Sequence, residues 1–187
     1  MRWSSFSAGL LLGTALLFSA CASPLEERRL VSKASSGDLS FAIGSAQSVG
    51  LHPTARFAEV QAERVSEIRG LMDAALSRAM GQRGYSIAEA GEADRLLAYA
   101  IGRSTEVSDA QLREVFGVTP GIDALDGEER AGIVLVLLDA QGKQVLWRGS
   151  GAGVLGEERS TSEARVDIEN AVRELLEDLP IRRSRVR

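Results

Sequence analysis

The chain has 187 residues, 22 basic and 26 acidic, with a formal net charge of −4, one cysteine and one histidine. That length suits a single domain with a substantial core. The acidic balance lacks the basic surface that phosphate neutralisation needs, so nucleic acid is excluded as the expected partner, and one cysteine leaves no disulfide pair or thiolate metal cluster.

Residues 1–20 have the order of a signal peptide. Met1-Arg2-Trp3 is a short positive start, Phe6 to Phe18 is an apolar run too short to span a bilayer, and Ser19 and Ala20 are small, as a peptidase site requires. Cys21 follows. The segment resembles the bacterial lipobox, with Phe18 where leucine is usual. That resemblance implies cleavage before Cys21 and acylation of Cys21 by palmitate-like chains. Each buried methylene contributes roughly 0.8 kcal/mol, and two or more chains hold a protein stably on a membrane. Ala22, rather than aspartate, implies by analogy with lipoprotein sorting an outer-membrane location with the body facing the periplasm. Without the leader, 167 of the 187 residues remain, with 21 basic and 26 acidic side chains.

Residues 21–38 are polar and rich in small residues, and read as a flexible tether. The domain is expected over 39–180. Leu39 to Val49, with Leu39, Phe41 and Ile43 alternating, predicts a first strand, followed by a turn at Gly50 to Thr54. Val60 to Gln82 predicts a helix, because Val65, Ile68, Met72, Ala75, Leu76 and Ala79 recur at helical spacing; Gly81 and Gly84 are its stops. Tyr85 to Ile87 is short and extended. Asp94 to Val107 predicts a strand with Leu97, Tyr99 and Ile101 on one face.

Ile133 to Leu138 is a continuous apolar run and predicts a central strand buried on both faces. Asp139 to Gly142 is a turn, so Lys143 to Val154 should pair back antiparallel. Ser160 and Glu163 fit a capping box opening a last helix, which Pro180 ends. The expected architecture is α+β: a mainly antiparallel sheet with two long helices packed on one face, plus a short lid helix.

Several of these residues form a family pattern: Arg83-Gly84-Tyr85 after a helix, Ala93-Asp94 opening a strand, the turn Asp139 to Gly142, Trp147-Arg148-Gly149, and Leu179-Pro180 closing the last helix. In this order the chain, from Leu39 to Pro180, resembles the bacterial lipoprotein family known as domain of unknown function 4136. The resemblance implies a small α+β envelope domain and supplies no activity.

Candidate chemistry is sparse. Gly151-Ala152-Gly153-Val154-Leu155-Gly156 has the dinucleotide glycine spacing, but no helix opens on its last glycine and no second parallel strand follows, so strand bending or close packing explains it better. Alternation places Trp147 and Val145 on one face, Trp147 as core, and Arg148 with Leu146 on the other. His52 stands alone beside Pro53. Asp123, Asp126, Glu128 and Glu129 lack the alternation of a calcium loop. A hydrolase built on Asp94 and Tyr85 has no convergent third group.

The segment from Arg103 to Arg130 is long for a connection. Within it Ser108 and Gln111 form a second capping box, and Leu112, Val115 and Phe116 make a one-sided apolar patch. That patch serves either as a lid on the sheet or as an anchor for a partner or acyl chain. Residues 181–187 form a basic tail suited to anionic lipid or to solvent.

The reading is a non-enzymatic, lipid-anchored outer-membrane protein facing the periplasm, acting through protein contact in envelope assembly or maintenance. Its partners are the membrane, through acylated Cys21, and an envelope protein contacted through Leu112, Val115, Phe116 and Arg148. No cofactor or metal is expected. The alternative is an accessory of envelope transport that holds a lipid or small apolar ligand.

Overall fold

A computed structural model describes residues 30–53, 56–57, 62–123, 128–154 and 160–182. The leader, Cys21, Asp126, Leu155, Gly156 and the tail arginines 183, 185 and 187 lie outside the described residues. In chain order the elements are β1 (Ser32–Ser36), α1 (Leu39–Ile43), β2 (Ser48–Leu51), β3 (Arg56–Phe57), α2 (Ala62–Gln82), β4 (Ser86–Ala88), β5 (Arg95–Arg103), α3 (Asp109–Phe116), β6 (Arg130–Leu138), β7 (Val145–Val154) and α4 (Thr161–Leu175). The strands form one sheet in the order β1-β7-β6-β5-β2-β4, with β3 also paired to β5. The fold is mixed α and β, and the sheet is mostly antiparallel.

The apolar run of β6 occupies the middle, as its composition predicts. It is buried from Gly132 to Leu138 and pairs antiparallel with β5 and β7. Period-two alternation then separates two faces. Leu97, Tyr99, Ile133, Leu135, Leu137 and Trp147 join the larger core cluster, which includes Leu39 and Ile43 of α1, Met72 and Leu76 of α2, and Val172 and Leu175 of α4. Each such fully buried side chain contributes roughly 1.5–3 kcal/mol. The opposite face holds two smaller clusters, one around Leu96, Val134, Val136 and Val118, the other around Leu112, Ile122 and Ala152.

Four expectations are corrected. Leu39 to Ile43 is helix α1, not strand: Asp38 Oδ1 accepts the backbone N–H groups of Ser40 (2.8 Å) and Phe41 (3.2 Å), and Leu39, Ala42 and Ile43 turn inward together. The strand of this region is β2, so Gly50 and Leu51 are not in a turn. The tether expected over 21–38 contains β1. This polar edge strand pairs antiparallel with β7, and its Lys33 forms an ion pair with Glu177. Backbone pairing makes this strand, so its side chains give no apolar signal. At the other edge of the sheet β2, β3 and β4 add in parallel, so the sheet is mainly, not wholly, antiparallel, as expected.

The last correction concerns β7. Its register jumps from Leu137 opposite Trp147 to Leu138 opposite Val145, leaving Leu146 unpaired in a bulge. The extra residue reverses the alternation. Val145 packs on the smaller cluster and Leu146 on the larger one, opposite to expectation.

Candidate functional site

The family-pattern residues are joints. Arg83-Gly84-Tyr85 follows α2 and clasps the chain leaving α4. The Arg83 guanidinium donates to the Leu179 carbonyl, the Arg83 carbonyl accepts the Arg182 N–H (2.8 Å), and Tyr85 Oη donates to the Pro180 carbonyl (3.2 Å). Gly84 sits at φ +84°, and a Cβ there would lie 2.6 Å from the Arg182 carbonyl oxygen. Arg182, expected within a free tail, is thereby part of the domain; its guanidinium also lies 5.8 Å from the Tyr85 ring centre.

Asp94 pins the start of β2. Its Oδ2 accepts from the backbone N–H groups of Gln47 (2.7 Å) and Ser48 (3.0 Å) and from Ser48 Oγ (3.1 Å). These donors hold its carboxyl below the ordinary aspartate range. Asp139 does the same in the β6–β7 turn, accepting from the N–H groups of Lys143 (2.7 Å) and Gln144 (3.2 Å), and is likewise lowered by them. Trp147 is buried in the larger core, and the indole lies where a Cβ of Gly149 would stand. Gly151 leaves room for Leu30, whose Cδ1 would lie 2.5 Å from a Cβ there. The described glycines of the fingerprint run, Gly151 and Gly153, thus lie in a strand, and of the two only Gly151 admits close packing.

The other sheet face carries the remaining candidates. α3 begins with the predicted capping box on Ser108 and Gln111 and ends at Gly117. Asp109 staples the returning loop: Oδ1 accepts the N–H groups of Gly121 (2.8 Å) and Ile122 (3.1 Å), and Oδ2 that of Asp123 (3.2 Å). Nothing in the local sequence marks this staple, because its partners lie more than ten residues on. Leu112 is buried against Ile122 and Ala152, and Phe116 packs between the two smaller clusters. Val115 is 56 % exposed. The structure thus divides the expected patch: Leu112 and Phe116 turn to the sheet, and Val115 faces solvent.

Arg148, Ser150 and Ala152 occupy alternate positions of β7 on that face. The Arg148 guanidinium lies against Gly117, where a Cβ would be 3.5 Å from Nε. Ser150 is fully buried, and its Oγ has no hydrogen-bond partner among the described residues. Arg130 Nε and Glu106 Oε2, also buried without partners, belong to the same 103–130 segment. Sequence reasoning missed Ser150, because an unsatisfied hydroxyl is visible only once its neighbours are placed.

Other groups are structural. The His52 ring lies beside Gly142, where a Cβ would be 3.4 Å from Nε2. Glu129 pairs with Arg103 at 2.8 Å. Tyr99 Oη donates to Asp73 Oδ1 (2.8 Å), and burial together with this carboxylate pushes the phenol pKa up. Burial also raises Tyr85, against the opposing charges of Arg182 and Arg83. Among the described residues no three His, Cys, Asp or Glu side chains gather as a metal site, and no described helix is long and apolar enough to cross a membrane.

The model of the family described as "Domain of unknown function (DUF4136)" matches residues 53–181. No curated protein matched the chain. Among solved structures, a PelC dodecamer from Paraburkholderia phytofirmans is similar at 16 % identity, covering 81 % of this chain and 99 % of that one, with a TM-score of 0.48. A DUF4136 family protein from Bacteroides thetaiotaomicron is similar at 16 % identity, covering 81 % and 98 %, also with a TM-score of 0.48.

Proposed function

The chain belongs to the DUF4136 family, and from that premise we propose that it is a lipid-anchored outer-membrane lipoprotein. Acylated Cys21 holds a non-enzymatic domain facing the periplasm, which works by protein contact in envelope assembly or maintenance. In this reading α2 and α4 cover one sheet face for stability, and α3 is the lid over the other. The observation that supports it is the use of the family-pattern residues. Arg83, Tyr85 and Asp94 are engaged in joints between elements and Trp147 in the core, so these residues are occupied as scaffold.

The acting surface is then the outer side of α3, with Val115 at its centre. A photo-crosslinking residue at Val115 in native membranes tests this, with Val166, exposed on α4, as the control. A discrete protein adduct from Val115 and none from Val166 is the expected outcome. Equal or absent capture at both positions overturns the contact surface.

The buried Ser150 hydroxyl favours a second reading, in which a lipid or small apolar ligand lies between α3 and the sheet. One polar group amid apolar walls is how such sites orient a ligand. Native mass spectrometry of protein extracted from membranes tests it. A bound lipid lost in Ser150→Val supports this reading, and ligand-free protein removes it.

A further inference from the structure

The two most exposed large apolar side chains among the described residues are Phe41, at 87 %, and Ile181, at 72 %. They belong to the same corner. Ser40 Oγ donates to the Asp178 carbonyl (3.2 Å), and Arg182 Nη1 donates to the Ser45 carbonyl (3.1 Å), binding α1 and its following loop to the segment after α4. The core does not use either side chain: α1 buries Leu39, Ala42 and Ile43 instead, and the segment after α4 buries Leu176 and Leu179.

Charge and chain path say what meets this corner. Arg95 reaches it, its Nε donating to the Ala42 carbonyl (3.2 Å). Arg182 follows Ile181, and Arg183, Arg185 and Arg187 come next in the sequence. The neighbouring acids are Asp38, engaged at the start of α1, Glu177, paired with Lys33, and Asp178. The polypeptide also joins the domain nearby: the Leu30 N–H donates to Glu174 Oε2 (3.0 Å) in the last turn of α4, and Lys33 pairs with Glu177 just after it. Residues 22–29 separate Leu30 from Cys21. At roughly 3.3–3.6 Å per residue they reach about 30 Å. A lipid on Cys21 therefore keeps this corner at high local concentration beside the bilayer.

We propose that the Phe41–Ile181 corner docks on the anionic bilayer surface that holds the anchor, with the two apolar side chains in the interface and the C-terminal arginines on lipid headgroups. Aromatic side chains settle at this depth, and basic clusters favour anionic leaflets. The proposal rests on the reading of Cys21 as acylated. It makes the domain lie against the membrane with one end fixed.

The test uses the full lipid-modified protein reconstituted in vesicles of phosphatidylcholine alone or mixed with phosphatidylglycerol. With Cys21 acylated, the body has no other thiol. Phe41→Cys, Ile181→Cys and Val115→Cys then each carry a single polarity-sensitive dye. The expected result is a blue shift at 41 and 181, with several-fold stronger quenching by spin-labelled lipid than at 115, greatest in the anionic vesicles. Positions 41 and 181 behaving like 115, while the N-terminal peptide still carries its acyl mass, overturn the docking alone. Equal quenching in both vesicle types overturns the role of the arginines. An unmodified Cys21 in the reconstituted protein overturns the anchor reading and the docking that rests on it.

Discussion

The two faces of the sheet are built differently. The α2 and α4 side is one continuous cluster that runs from Leu39 to Leu179 and includes the indole of Trp147. The α3 side is split into two small clusters and leaves the Ser150 hydroxyl buried without a partner. A contiguous apolar layer gives cooperative stability, whereas a short helix over a divided layer opens at lower free energy. The first face therefore sets whether the domain folds, and the second is the one that the proposed function assigns to contact.

The largest expected effect is on the first face. Trp147→Ala removes the indole from the larger core cluster and should cost about 3–5 kcal/mol. Urea unfolding followed by circular dichroism checks this, with all elements lost together. Leu112→Ala removes the anchor of α3 and should cost about 2–3 kcal/mol, toward the lower end for a core leucine. Hydrogen exchange should show the α3 amides opening while those of β6 keep wild-type protection. If β6 loses protection equally, the two faces are one cooperative unit and the contrast is broken.

Asp94 sharpens the contrast through pH. Its folded pKa is lowered by donors from Gln47 and Ser48, so its stabilisation is fully present above the unfolded aspartate pKa of about 4 and is lost as pH falls through the lower folded value. Asp94→Asn should reduce stability by about 1 kcal/mol at pH 7, discounted for its exposure. It should also flatten the fall in stability below pH 4 in thermal melts, with the rest of that fall remaining through Asp139 and Glu177, whose carboxyls are likewise lowered, by backbone donors and by Lys33. Val115→Ser, the smallest change, should stay within about 0.5 kcal/mol of wild type in the same melts.

Much of this was legible in the chain. The β6 run, the antiparallel partner after Asp139, the capping boxes at Ser108 and Ser160, and the buried Trp147 all rest on local periodicity or local hydrogen bonds. What was not legible depended on distant partners. β1 exists because β7 offers it a backbone edge, the Leu146 bulge reverses one pair of side chains, and Asp109 meets residues far along the loop. At Leu39 to Ile43, alternation and helical spacing both fit, and the Asp38 cap decides for helix. In the candidate site, Leu112 and Phe116 pointed one way and Val115 another, a division that five residues of helix cannot reveal before the sheet is in place.

The claim on which the account depends is that the domain lives on a membrane by way of Cys21. The most direct measurement is the mass of the N-terminal peptide of protein isolated from native membranes. The expected result is a peptide beginning at Cys21 with acyl chains attached. A peptide beginning at Met1, or a Cys21 without lipid, would contradict it.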